Sequence, residues 1–153
     1  MAGMSAREIS FYVRGRPVAQ PRLRAGKKKD GSLYVYEPHD DAVKLWRRTV
    51  ELSAAFELRG AEPIKGPFRA SIVFNFARPR GHFKEHFGGV ELKPSAPADH
   101  TAKPDLDNLA KSTLDGLVDS GIIEDDAKAV GLVLAKKWAA FEDGAMIVLE
   151  ALV

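Results

Sequence analysis

Three carboxylates are spaced so that they could share one cation. Asp105 and Asp107 stand two residues apart directly after Pro104, and a further pair, Asp125 and Asp126, follows an apolar-periodic segment. Proline disfavours helix at the residue before it, so a helix should start at Asp105 to Asp107. A helix and a short return bring the chain partway back past its own start. Asp125 or Asp126 could then meet the first two acids. Magnesium prefers hard oxygen ligands at about 2.0–2.1 Å and commonly combines a few carboxylates with water and a substrate phosphate. One or two ions held in this way could activate water and stabilise an in-line displacement at phosphorus.

Ordinary structural duties compete with that chemistry. Aspartate is a favoured N-cap, worth about 1 kcal/mol. Asp107 and Lys111 are an i,i+4 pair in the favourable orientation, worth about 0.2–0.5 kcal/mol. Asp115 and Asp119 read as solvated residues of a polar helix face, and Glu124, Asp125 and Asp126 could form an acidic turn. Capping accounts well for one aspartate. It calls for neither a second at the helix start nor another pair before the next strand.

The elements that must position these residues follow from apolar spacing. Residues 9–13 are rich in β-formers and read as a strand. Residues 14–38 hold glycine, proline and a basic cluster and read as a loop, with 33–36 as a short strand. Val43, Trp46, Val50, Ala54 and Leu58 predict a helix over 40–59, with acids in its first turn and Gly60 at its end. Residues 70–76 read as a buried strand. Residues 77–104, rich in proline and glycine, read as a long loop, a length that usually signals function or mobility. Leu106, Leu109, Ala110, Leu114, Leu117 and Val118 predict a helix over 106–118, closed by Gly121. Residues 130–138 and 145–152 read as strands, and Asp143-Gly144 between them predicts a hairpin. The order suggests an α+β fold, a small mixed or antiparallel β-sheet with two main helices packed on one face. The chain 1–153 reads as a single domain with a basic N-terminal loop 14–32 and the long loop 77–104. Trp46 and Trp138 read as core residues and His100 as a surface histidine.

The 153 residues are 45% hydrophobic and 29% charged, enough to bury a core. The absence of cysteine excludes disulfides, thiolate metal sites and cysteine nucleophiles. The four histidines lack zinc-protease spacing, and no phosphate-loop glycine motif occurs. No apolar run reaches the roughly 20 residues of a membrane span, and residues 1–8 carry no hydrophobic segment of signal length. A cytoplasmic protein with no membrane partner is expected. The net charge is only +2, yet it hides two opposed blocks. Residues 1–30 carry eight bases against two acids, net +6, and residues 99–126 carry eight acids against two bases, net −6. Arg22, Arg24, Lys27, Lys28 and Lys29 could reach DNA phosphates, and Tyr34 or Tyr36 could stack on an unpaired base. Arg78, Arg80, Lys84 and Lys93 could extend that surface. Without a metal the acidic block would repel DNA.

The run Lys103-Pro-Asp105-Leu-Asp107-Asn108-Leu-x-Lys111-x-x-x-Asp115-x-Leu, followed by Glu124-Asp125-Asp126-Ala, resembles the signature of the RusA family of Holliday-junction resolvases. Gly15-Arg-Pro-Val-Ala-Gln-Pro-Arg22-Leu-Arg24 is similar to the opening of phage-type members. The resemblance implies a RusA-like fold and magnesium-dependent cleavage, with manganese able to substitute. It implies Asp105, Asp107 and Asp126 as catalytic metal ligands. It also implies Lys111 as a catalytic residue whose charge could stabilise the phosphate. It further implies a homodimer that sets two sites on opposite strands of a four-way DNA junction, in recombination and repair. Segment 77–104 is longer than in compact members. Two other readings stay open on the residues alone. One is a non-catalytic DNA-binding module; the other is a different metal-dependent phosphotransfer enzyme.

Overall fold

A computed structural model describes residues 7–152; Val153 and most of the N-terminal stretch read for a signal segment, Met1 to Ala6, lie outside that range. In chain order the elements are β1 (Glu8–Arg14), β2 (Arg24–Lys27), β3 (Leu33–Tyr36), α1 (Asp41–Leu58), β4 (Phe68–Ala77), β5 (Phe83–His86), β6 (Gly89–Leu92), α2 (Leu106–Ser120), β7 (Ala129–Ala139) and β8 (Gly144–Ala151).

Both helices form where the apolar spacing places them. α1 buries Val43, Trp46, Val50 and Ala54 along one side. Asp40 stands just outside it as the N-cap, its Oδ1 accepting from the amides of Ala42 (2.9 Å) and Val43 (3.3 Å). α2 turns Leu109, Ala110, Leu114 and Leu117 inward and ends at Gly121, whose φ of 81° glycine adopts without strain. The helices meet closely at Gly116, where a Cβ would lie 2.8 Å from the Arg47 carbonyl oxygen and 2.9 Å from Val50 Cβ. Across the same contact Trp46 Nε1 donates to Thr113 Oγ1 at 3.1 Å, which satisfies a buried polar pair.

The main sheet has the order β1-β8-β4-β7, with β4 and β7 parallel and the other pairs antiparallel. Phe68, Ala70, Ile72, Phe74 and Phe76 alternate inward from β4 and join Ile147 and Leu149 of β8 in one core with the helices. This is the expected α+β arrangement of a mixed sheet and two main helices. Among the described residues no helix is long and apolar enough to cross a membrane.

Three expectations of local structure are corrected. The strands expected as a hairpin, β7 and β8, are separated by β4, which pairs with both. β4 is the strand with the most continuous buried face, and a central position covers it on both edges. The connection between β7 and β8 instead passes over the end of β4, where the Asp143 carboxylate accepts the Ala77 amide at 2.7 Å. Gly144 serves a close approach and not a turn, since a Cβ there would lie 2.2 Å from the Tyr12 hydroxyl. Segment 77–104 is partly ordered, with β5 and β6 paired as a hairpin around Gly88, whose φ is 104°. Loop 14–32 likewise contains β2, which pairs with β3 to form a two-stranded arm.

Candidate active site at the start of α2

Asp105 occupies the N-cap position of α2, but its side chain makes no capping bond. The cap is left to the backbone, and the carboxylate faces two cations. Lys103 Nζ donates to Asp105 Oδ2 at 2.9 Å, and Arg22 Nη2 reaches the same oxygen at 3.4 Å. The Lys103 bond holds the Asp105 carboxyl below the ordinary carboxylate range, and the charges of Arg22 and Lys136 act in the same direction. The competing N-cap role therefore does not use this side chain.

The basic N-terminal segment is strapped onto α2. The Gln20 amide donates to the Asn108 carbonyl at 2.9 Å, and Ser112 Oγ donates to the Val18 carbonyl at 2.6 Å. Ser112 is buried within α2, so the strap has a fixed anchor. It delivers Arg22 to Asp105, residues 83 positions apart in the chain. Arg24 and Lys27 lie on β2, with Lys28 and Lys29 in the turn beyond, and all four are exposed. Tyr34 and Tyr36 lie together on β3 with ring centroids 5.6 Å apart.

Lys136 was not singled out by its sequence context. From β7 its Nζ donates to the carbonyls of Ala102 and Pro104, the latter at 2.8 Å. It pins the turn that presents Asp105. The signal for it was weak, one of two adjacent lysines, Lys136 and Lys137, in a strand apolar up to that point. His100 supports the same segment and is corrected from surface to interior. It is 6% exposed, stacked on Trp138 at 3.9 Å and edge-on to Phe76 at 4.9 Å. Burial, and then the Lys136 charge, hold its imidazole below the ordinary histidine value. Trp138 is half-buried and donates from Nε1 to the Asp99 carbonyl at 3.2 Å.

Asp107 lies exposed in the first turn of α2, its Oδ1 accepting the Asn108 amide at 2.9 Å. The expected Asp107–Lys111 pair is not formed, and Lys111 makes no ion pair within 4.0 Å among the described residues. Asp125 caps the short turn 126–128 by accepting the Ala127 amide at 2.8 Å, and that bond lowers its carboxyl. Asp126 is exposed, and its charge acts on Asp115 of α2. Burial pushes the Asp115 carboxyl up; Arg47 and Lys111 oppose the shift, while Asp126 and Asp119 add to it. Asp115 is therefore half-buried and not merely solvated. Asp119 is not simply solvated either, since it pairs with Arg47 of α1 at 3.3 Å.

In donor type, Asp105, Asp107 and Asp126 fit a hard divalent cation, and Asp105 is held ionised. As the side chains stand, no group of three or more His, Asp and Glu among the described residues converges closely enough to hold a metal. Asp105 is turned toward its cations, and Asp107 toward the helix backbone.

The family model for endodeoxyribonuclease RusA matches residues 14–150, and the chain belongs to that family. No curated protein matches the sequence at a significant level. Family membership makes the chain a nuclease that acts on DNA, and it rests on nearly the whole described range.

Proposed function

We propose that the protein is a magnesium-dependent endodeoxyribonuclease that resolves four-way DNA junctions as a homodimer. Its setting would be recombination and repair in the cytoplasm. The observation that carries the reading is the uncapped Asp105 carboxylate at the start of α2. It meets the basic N-terminal strap through Arg22, with Lys111 one turn beyond Asp107 and in no ion pair among the described residues. In this reading Asp105, Asp107 and Asp126 hold the cation, with manganese able to replace magnesium. Bound there, the ion would lower the pKa of a water and neutralise charge on the scissile phosphate. Lys111 places a cation where negative charge develops on the phosphate. Arg22 and Arg24 with Lys27, Lys28 and Lys29 hold the DNA backbone, and Lys136 and the stacked His100 fix the turn that carries Asp105.

Cleavage of a synthetic four-way junction against a linear duplex, with and without magnesium, tests the proposal. Paired incisions of the junction that need the metal are expected. Binding without any incision would favour a DNA-binding module. Turnover of free nucleotides with indifference to branching would favour another phosphotransfer enzyme.

A further inference from the structure

Segment 77–104 builds a cleft at the C-terminal ends of β4 and β7. In its hairpin Phe83 lies opposite Leu92 and Glu85 opposite Val90, so these four share one face. That face does not close on the sheet. A cleft of about 760 Å³ lies between them, a volume in the range of ligand sites. Ala77, Gly81 and Ala140 line it with little side chain and leave it room. Two backbone bonds fix its frame: the Arg78 amide donates to the Ala139 carbonyl at 3.0 Å, and the Lys93 amide to the His82 carbonyl at 2.9 Å. The Arg78 guanidinium is already engaged, donating to the Pro97 carbonyl at 2.8 Å.

We propose that this cleft receives one unpaired base of the bound DNA strand. The choice of ligand deepens the DNA-cutting role proposed above and rests on that reading; the cleft itself does not. Phe141, from the connection between β7 and β8, stacks against Phe83 with ring planes 14° apart and centroids at 5.9 Å. Phe141 is still 81% exposed, so the stack is unfinished. A base is flat, and laid on Phe141 it continues the stack whatever its sequence. At the mouth Arg80 Nη2 donates to Glu85 Oε1 at 2.9 Å, and both side chains are mostly exposed. The pair is neutral and sets donors beside an acceptor. A base edge carries donors and acceptors together. A bare phosphate carries acceptors alone and would face the Glu85 carboxylate, so the pair suits a base better. The cleft also lies at the Asp105 end of the sheet. Lys136, which pins the Asp105 turn, comes four residues before Ala140. At about 3.3 Å per residue that is roughly 13 Å along the strand. DNA advances about 3.4 Å per nucleotide in each strand, so one strand can span both places in about four nucleotides.

The test is the affinity of the full chain for a four-way junction with one unpaired base at its crossover, against the same junction with an abasic residue there. Fluorescence anisotropy without divalent metal reads binding while nothing is cut. Wild type should bind the base-bearing junction about five- to a hundredfold more tightly, the worth of one stacked base. Phe141→Ala should keep its fold, because the ring is exposed. It should lose that preference and bind the abasic junction within about twofold of wild type. Phe56→Ala removes an exposed aromatic beside Phe11 and Tyr12 of β1, at the far edge of the sheet, and should keep the preference. Glu85→Gln should change which of the four bases is preferred by about tenfold. Equal binding of the two junctions by wild type, or a Phe141→Ala chain that keeps the preference, overturns the proposal. Free deoxynucleoside monophosphate that binds as tightly as the junction would make the cleft a nucleotide site and overturn it too. A base preference that needs Phe141 in a chain that never cuts DNA supports the cleft and refutes the nuclease reading. Metal-dependent cutting without any base preference refutes the cleft and leaves that reading standing.

Discussion

Replacing Lys136 with Met keeps the aliphatic stem and removes the ammonium that bonds the carbonyls of Ala102 and Pro104. Hydrogen bonds involving a charged group are worth roughly 1.5–3 kcal/mol each. Both carbonyls can turn to water in this half-buried place, so the expected stability loss is about 1–2 kcal/mol in total. Asp105 is the next residue after Pro104, and slack in the turn becomes displacement of its carboxylate. A misplacement of about 1 Å can cost on the order of a hundredfold in rate. Single-turnover cleavage of a four-way junction at saturating magnesium should therefore slow about ten- to a hundredfold, while junction affinity stays within about twofold. Lys136→Arg, which can still reach both carbonyls, should keep most of the rate. Lys137→Met, on the opposite face of the same strand, should change nothing. A Lys136→Met protein that cuts at the wild-type rate would refute the positioning role. So would a loss explained wholly by weaker binding.

Asp107→Asn removes a ligand charge but none of the basic surface, so it should bind the junction in a gel-shift assay and fail to cut it. Unchanged cleavage would exclude Asp107 from the metal site. Gly116→Ala places a Cβ against the Arg47 carbonyl and Val50 and should lower stability in urea by about 1–3 kcal/mol; an unchanged midpoint would show that the helices can part freely. His100 has a depressed folded pKa, so the unfolded chain takes up the proton first as pH falls. Its contribution is fully present above the ordinary histidine value of about 6.5 and is lost as pH falls toward the folded pKa. His100→Phe should flatten the stability curve across that window, and an unaltered slope would count against the depressed pKa.

The helices were legible because their burial is periodic within a single element. Val43 to Ala54 and Leu109 to Leu117 each carry a stripe that needs no partner to be recognised. Strand order was not legible, because it depends on long-range competition. Asp143-Gly144 is a good hairpin signal, but a hairpin there would have left β4 at an edge with its apolar face half-covered. Putting β4 between β7 and β8 gives that strand two partners, and the Asp143 side chain then caps the Ala77 amide. β2 went unseen because Arg24-Ala-Gly-Lys27 has no apolar alternation; it is a strand only through its pairing with β3. The β5–β6 turn was signalled by Gly88-Gly89, but proline and mixed charge around it read as loop.

The charge blocks were legible as sums, and the structure changes what the sums mean. The acidic block does not face DNA as an intact −6. Asp105 already meets Lys103 and Arg22, Asp119 meets Arg47, and Glu124 meets Lys128. Metal-free repulsion of DNA is therefore weaker than the count of acids suggests. No base lies within 4.0 Å of Asp107, Asp115 or Asp126 among the described residues. Asp115 is the one whose carboxyl is pushed up, first by burial and then in part by Asp126. The unmet demand for positive charge thus runs from Asp107 in the first turn of α2 to Asp115 and Asp126, beside Lys111, which makes no ion pair among the described residues. A cation drawn to that demand would arrive from the Asp107 and Asp126 side. Asp105 could join it through Oδ1, since Arg22 and Lys103 both contact Oδ2, and would join it more fully if either cation let go. A DNA phosphate is the natural acceptor for those two side chains, because both are mostly exposed and each needs only a new anion within reach.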